Sequence, residues 1–241
     1  MKKVKIITFL ILLIIVSGVS VSAQTANEII TKYIQAIGGK ELISKINSLY
    51  IEATMQVMGT EGAVKTTILN GKGYRNDVDY IGNEMVQCYN EKEGWTINPM
   101  MGSGDAESMP EVEYNSAKTQ IFIEAPLIFY AEKGYKAELL GNEAVGSINA
   151  YKLKLTAPDN TSAIYYFDSA TGYKIKSIMP GKMMGRTIEN TITYSDFRQT
   201  DGYTIAFKTV TSMGGQYETT NTVNKIVLNI QVDAAIFVKP E

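Results

Sequence analysis

The chain holds no histidine in 241 residues, and that one absence removes the usual general base, the usual zinc ligand and the Ser-His-Asp triad. Its single cysteine, Cys88, has no histidine to activate it as a papain-type nucleophile. What remains for catalysis is carboxylate chemistry. In YRNDVDY, Arg75, Asp77 and Asp79 alternate with Tyr74, Val78 and Tyr80, so they share one face of a strand. Two carboxylates held close could serve glycoside hydrolysis. Arg75 offsets the acids, however, and a solvated charged stripe is the more ordinary reading of a polar strand face. Asp105, Glu107, Glu111 and Glu113 gather in PMMGSGDAESMPEVE but match no EF-hand spacing, which favours a solvated acidic loop over a calcium site. The sequon at Asn160 lies in APDNTS, where a hairpin turn explains the same letters. These residues point to neither an enzyme nor a metal or cofactor site.

The methionines are more suggestive. Met100, Met101 and Met109 lie in the irregular loop, and Met183 and Met184 occupy a turn flanked by Lys182 and Arg186. Adaptable apolar side chains at wet positions suggest a surface that meets acyl chains or an apolar partner. The competing reading is that these loops fold inward and complete the core. The 15 tyrosines are mostly in strand-like stretches, where β-propensity accounts for them.

The elements that must position these groups begin after a leader. Residues 1–23 carry lysines at positions 2, 3 and 5, an apolar run from Ile6 to Val16, and Val21-Ser22-Ala23, the pattern of a cleaved secretory signal. Its apolar core is short for a membrane span. No cysteine stands at the junction, which argues against a lipid-anchored product. Removing the leader leaves 20 basic residues against 25 acidic ones, a net charge of about −5, so nucleic acid is a poor partner. Residues 24–241 contain no low-complexity linker and are expected to form one domain. In an oxidising compartment the lone Cys88 reads as a buried small hydrophobe, sharing a strand face with Val86.

Thr25 and Glu28 have capping-box spacing ahead of Ile29, Ile30, Tyr33, Ile34 and Ile37, predicting an amphipathic helix closed by Gly38-Gly39. A second short helix fits Lys40 to Ile46. Tyr50 to Met58 then places Ile51, Ala53, Met55 and Val57 on one face and Glu52, Thr54 and Gln56 on the other, the period of a half-buried strand. Four further short strands reach Asn98, separated by GTEG, NGKG, IGN and EKEG. NSAKTQIFIEAPLIFYAEKG suits a helix interrupted at Pro126. Beyond it, Tyr135 to Leu140 and AYKLKLT, with Leu153 and Leu155 on one face, return to strands. AIYYFD, YKIKSI and RTIENTITYSDF follow, the last two joined by a tight PGKMMGR connection. Tyr203 to Val210, Gln216 to Val223 and Lys225 to Val232 continue the pattern to the tail DAAIFVKPE. The sum is a mainly β chain of the α+β class, with roughly eleven antiparallel strands in one sheet and a few helices set on it.

With an N-terminal helix ending AIGG, a meander reaching EGWTINP, the APL insertion, YYFD with YKIKS, a YSDF strand and the terminal VDAAIFVKP, the chain resembles the LolA/LolB-like outer-membrane lipoprotein-sorting superfamily. The resemblance spans most of residues 24–241. It implies a curved, incompletely closed barrel with helices as a lid on its concave face, enclosing an apolar cavity for the acyl chains of lipoproteins, and a periplasmic carrier role. The expected partners are lipoprotein or lipid acyl chains, with a transient contact to a membrane or an outer-membrane receptor left open. The expected cavity residues are Met55, Val57, Trp95, Leu153, Leu155, Met183 and Met184. The carriers hold their lid with an arginine in an early strand; Arg75 lies near the corresponding place but among aspartates, and its role stays open. Because one fold hosts several functions, a second reading stands beside the carrier: a non-enzymatic periplasmic accessory or sensor module whose inner face is packed by its own helices.

Overall fold

A computed structural model describes residues 25–100, 102, 104–183 and 186–240. The expected signal peptide, Met101, Met184 and the Met183 side chain lie outside the described residues. Helices α1 (Ala26–Ala36) and α2 (Lys40–Ser44) precede strands β1 (Ser48–Val57), β2 (Thr60–Leu69), β3 (Gly73–Tyr80), β4 (Asn83–Asn90), β5 (Gly94–Ile97) and β6 (Glu107–Ser108). Helix α3 (Glu111–Ala117) leads into an insertion, after which come β7 (Lys136–Val145), β8 (Ile148–Thr156), β9 (Ser162–Asp168), β10 (Lys174–Met183), β11 (Arg186–Thr200), β12 (Tyr203–Met213) and β13 (Tyr217–Leu228). All thirteen form one sheet in the order β6-β5-β4-β3-β2-β1-β13-β12-β11-β10-β9-β8-β7. Two antiparallel meanders thus join where β1 pairs β13, and β6 and β7 remain as free edges, so the curved sheet does not close into a barrel.

The two-residue β6, which the sequence reading leaves inside the acidic loop, forms by pairing with Trp95 and Thr96. The stretches 216–223 and 225–232, expected as separate strands, are one strand that ends at Leu228; a bulge at Asn224 interrupts its alternation. PGKMMGR is less of a turn than its composition suggests. Pro180 to Met183 extend β10 and pair with Glu189 to Arg186. The insertion is not one interrupted helix either. After α3 it runs as 3-10 turns at Lys118–Ile121 and Leu127–Phe129, with Glu124 at a positive φ of 59° that a continuous helix cannot accommodate.

Helix α1 forms as its spacing dictates. The Thr25 hydroxyl accepts from the Glu28 amide and the Glu28 carboxylate accepts from the Thr25 amide, satisfying donors a helix start leaves free. Its Ile29, Ile30 and Tyr33 are buried against Leu153, Leu155, Tyr165 and Phe167 of β8 and β9. The face of the sheet that carries α1 is its inner face. β1 contributes Leu49, Ile51, Ala53 and Met55 to it, as period two requires.

The other face of β3 to β5 is closed by the C-terminal tail. Val86, Cys88, Trp95 and Phe237 form a buried cluster there. The Phe237 carbonyl accepts from Trp95 Nε1 at 3.2 Å and Asn90 Nδ2 at 3.0 Å. The ring lies over Gly73, where a Cβ would stand 2.4 Å from it. Arg75 belongs to this clamp. Its guanidinium pairs with Asp77 at 2.8 Å, donates to the Ile236 carbonyl at 3.0 Å and lies over the Trp95 ring. Burial pushes the Cys88 thiol up to about 12, so native alkylation should be slow and denatured alkylation fast. Phe237→Ala should cost about 3–5 kcal/mol in urea unfolding and accelerate native Cys88 labelling, whereas a Cys88 that labels rapidly in the wild-type protein would contradict this packing.

Candidate functional site

Only part of the inner face is filled. Under α1 and the insertion, Ile123, Leu127 and Ile128 join Leu153, Leu155 and Phe167 in a closed core. Beyond it lies a cavity of about 450 Å³, walled by Ile51, Ala53 and Met55 of β1, Val64 of β2, Val78 of β3, Ile205 of β12 and Val223 of β13. This size falls within the range of pockets that take small ligands.

One polar cluster stands at the boundary between core and cavity. Glu124, from the insertion, is 13% exposed and Lys174, from β10, 18%. One Glu124 oxygen accepts from the Tyr33 hydroxyl of α1, the other from the Tyr203 hydroxyl of β12. Burial, and next the Glu124 charge, hold both phenols well above their ordinary pKa, so they stay protonated and donate. Lys174 Nζ lies 3.7 Å from Glu124, 5.5 Å from the centre of the Tyr33 ring and 4.9 Å from that of Tyr194. Desolvation works against its charge, but Tyr194 and Glu124 outweigh it and its pKa is raised. Tyr194 in turn hydrogen-bonds Ser177 at 3.0 Å.

A bulge aims the lysine. Lys174 pairs with Phe167 while Lys176 pairs with Tyr166, leaving Ile175 extra, and such an insertion turns one flanking side chain to the other face. Lys174 therefore points inward among tyrosines, and Lys176 lies over the Tyr166 ring in a separate cluster. The positive φ of Glu124 adds a backbone cost of about 1–3 kcal/mol. Two hydroxyl donors and the Lys174 charge, from three elements, offset it.

The residues expected to contact ligand separate in the structure. Met55 lines the cavity, and Val57 is half-buried at the end of β1. Leu153 and Leu155 lie in the closed core beneath α1. Trp95 lies under the tail, in the cluster with Cys88 and Phe237. Backbone pairing puts Met183 at the β10–β11 hairpin, and Met184 is outside the described residues. Glu124, Lys174, Tyr33 and Tyr203 were not foreseen. A signal for Glu124 was present, since it is the one charge within IFIEAPLIF and an isolated buried charge needs partners. Among the described residues no group of three or more carboxylate, cysteine or histidine side chains could hold a metal.

The open antiparallel sheet with its covering segment has the fold of solved structures described as LolA superfamily and lipoprotein-sorting proteins. A LolA superfamily protein from Nitrosomonas europaea superposes with a TM-score of 0.59 at 13% identity, over 90% of this chain and 99% of that one. A DUF1329 family protein from Desulfovibrio piger gives 0.60 at 12% identity, over 90% and 98%. An outer membrane lipoprotein-sorting protein domain from Vibrio parahaemolyticus gives 0.57 at 12%, over 86% and 97%. No family model and no curated protein matches the chain. At such identities the likeness is one of fold.

The cluster makes a stability difference between two lysines that strict alternation would treat alike. Lys174→Met should destabilise by about 3–5 kcal/mol because it strands the Glu124 carboxylate, while Lys176→Met should stay within about 0.5 kcal/mol. Urea unfolding of the two variants reads this directly, and equal losses would remove the bulge argument.

Proposed function

We propose that the protein is a non-enzymatic periplasmic carrier of lipoproteins or other acyl-chain lipids, which holds acyl chain in the cavity beside the insertion. The observation that supports this most is the uncovered half of the inner face, with its wall of mid-sized aliphatic groups. Burying about ten methylenes at ~0.8 kcal/mol each reaches the micromolar scale before ordering costs. The accessory-module reading draws on the other half, where α1 and the insertion pack Leu153 and Leu155 completely. Among the described residues no helix is long and apolar enough to cross a membrane.

Contact with a lipid surface is part of the proposal. The β1–β2, β3–β4 and β12–β13 hairpins turn at one end of the sheet. There Met58 is 91% exposed, Ile81 64% and Tyr217 49%. Met58 and Ile81 hold positive φ, at 49° and 55°, where glycine or asparagine is the usual occupant. Apolar side chains on separate hairpin tips suit a fluid apolar phase better than one flat partner surface, which needs a contiguous patch.

A fluorescent acyl probe should bind the wild-type protein, and Met55→Asp or Val78→Asp should weaken it at least tenfold while the exposed Lys65→Asp leaves it unchanged, circular dichroism confirming the fold. Absence of probe binding would favour the accessory module. Separately, Met58→Ser with Ile81→Ser should reduce co-sedimentation with phosphatidylcholine vesicles several-fold without altering probe affinity; unchanged co-sedimentation would remove the membrane contact.

A further inference from the structure

The tyrosine–lysine cluster is arranged as a receptor for an anion, and the anion in it belongs to the chain itself. The three groups that face the Glu124 carboxylate come from α1, β12 and β10, elements of the framework, whereas Glu124 comes from the irregular insertion between Ile121 and Leu127. Framework and occupant can therefore part without breaking a strand pairing. Lys174 is the least satisfied member. Its nearest carboxylate oxygen, at 3.7 Å, is beyond hydrogen-bond length, and its other close neighbours are ring faces. Tyr33, Glu124 and Lys174 also line the cavity whose far wall is Met55, Val64 and Val78. One compartment thus has a mainly aliphatic length, with Thr66, Asn76 and Asn221 set into it, and a charged end.

From this geometry we propose that the cavity selects amphiphiles with an anionic head, carboxylate or phosphate, and that the head displaces Glu124 from Tyr33, Tyr203 and Lys174. The inference rests on the carrier reading and names the head its ligand must bear. Phenol hydroxyls and an ammonium are donors without a directional demand for nitrogen or carbonyl groups, so they accept any compact oxyanion. A neutral head would leave the Lys174 charge without a new partner while losing Glu124, an outcome that burial penalises. Glu124 is the resident stand-in: it keeps the lysine and both hydroxyls compensated when no ligand is present, and ties the insertion down over the core until an equivalent charge replaces it.

Dodecanoate, dodecanol and dodecyl phosphate share one tail and differ in the head, so titrating each into the full chain at neutral pH separates tail from head. Glu124→Gln removes the competing charge and should raise affinity for dodecanoate or dodecyl phosphate about tenfold or more, leaving dodecanol within twofold. The double variant Glu124→Gln/Lys174→Met, which buries no unpaired charge, should lose that gain, and Glu124→Gln/Tyr203→Phe should lose part of it. Which anion gains more identifies carboxylate or phosphate as the natural head. If Glu124→Gln raises acid and alcohol binding equally, Glu124 is a latch without head selectivity and the proposal is overturned while the carrier reading survives. If none of the three amphiphiles binds any variant, both fall together.

Discussion

The inner face depends on the pairing of β1 with β13, the one junction among the described strands that joins elements far apart in the chain. Every other pair forms between consecutive strands, at a small loop-closure cost. Joining the two meanders instead makes a single curved surface of thirteen strands, far wider than its helices can cover. A helix is about 10 Å across and strands lie about 4.8 Å apart, so α1 shields two or three strands. The insertion shields a few more. Among the described residues the remaining, mainly apolar wall over β1 to β3, β12 and β13 has no covering element of its own, and the cavity follows from that shortfall.

The charges at the edge of that cavity make sense in the same terms. An insertion held only by apolar contacts would slide over the aliphatic wall, because hydrophobic attraction is non-directional. Glu124 gives it one register: its two oxygens reach two tyrosines on different elements. Directional bonds to a charged group are stronger than neutral ones, yet each is individually exchangeable for a bond to another oxyanion. A leucine in the same place would add burial without fixing that register, and it could not respond to a ligand's charge.

Much of this architecture was legible in the sequence. The alternation of Ile51, Ala53 and Met55, the Thr25 and Glu28 cap, and the shared face of Val86 and Cys88 are local patterns with one structural solution, and each is met. The misplacements trace to one cause, non-local contact. Trp95 looks like a ligand-facing aromatic until a tail some 140 residues away places the Phe237 carbonyl on its indole nitrogen. Leu153 and Leu155 lie on the inner face, but only the docking of α1 decides that their part of it is sealed. The apolar run around Leu127 has helical composition, and the tyrosine donors and the backbone turn at Glu124 override it. YKIKS reads as strict alternation, and a one-residue bulge moves Lys174 from the face of Lys176 to the site.

The two ends of the cavity also give it a direction. Lys174 and Tyr203 stand at the first residues of β10 and β12, beside α1. Met55 and Val78 lie toward the opposite end of their strands, next to the hairpins that carry Met58 and Ile81. A chain anchored by its head at the lysine would extend along the strands toward those tips, and at about 3.3 Å per residue the nine steps from Lys174 to Met183 span about 30 Å. Tail and exposed apolar tips would then face the same way. Release into a lipid surface would lead with the tail, and the charged head, which costs most to carry through hydrocarbon, would never need to cross it.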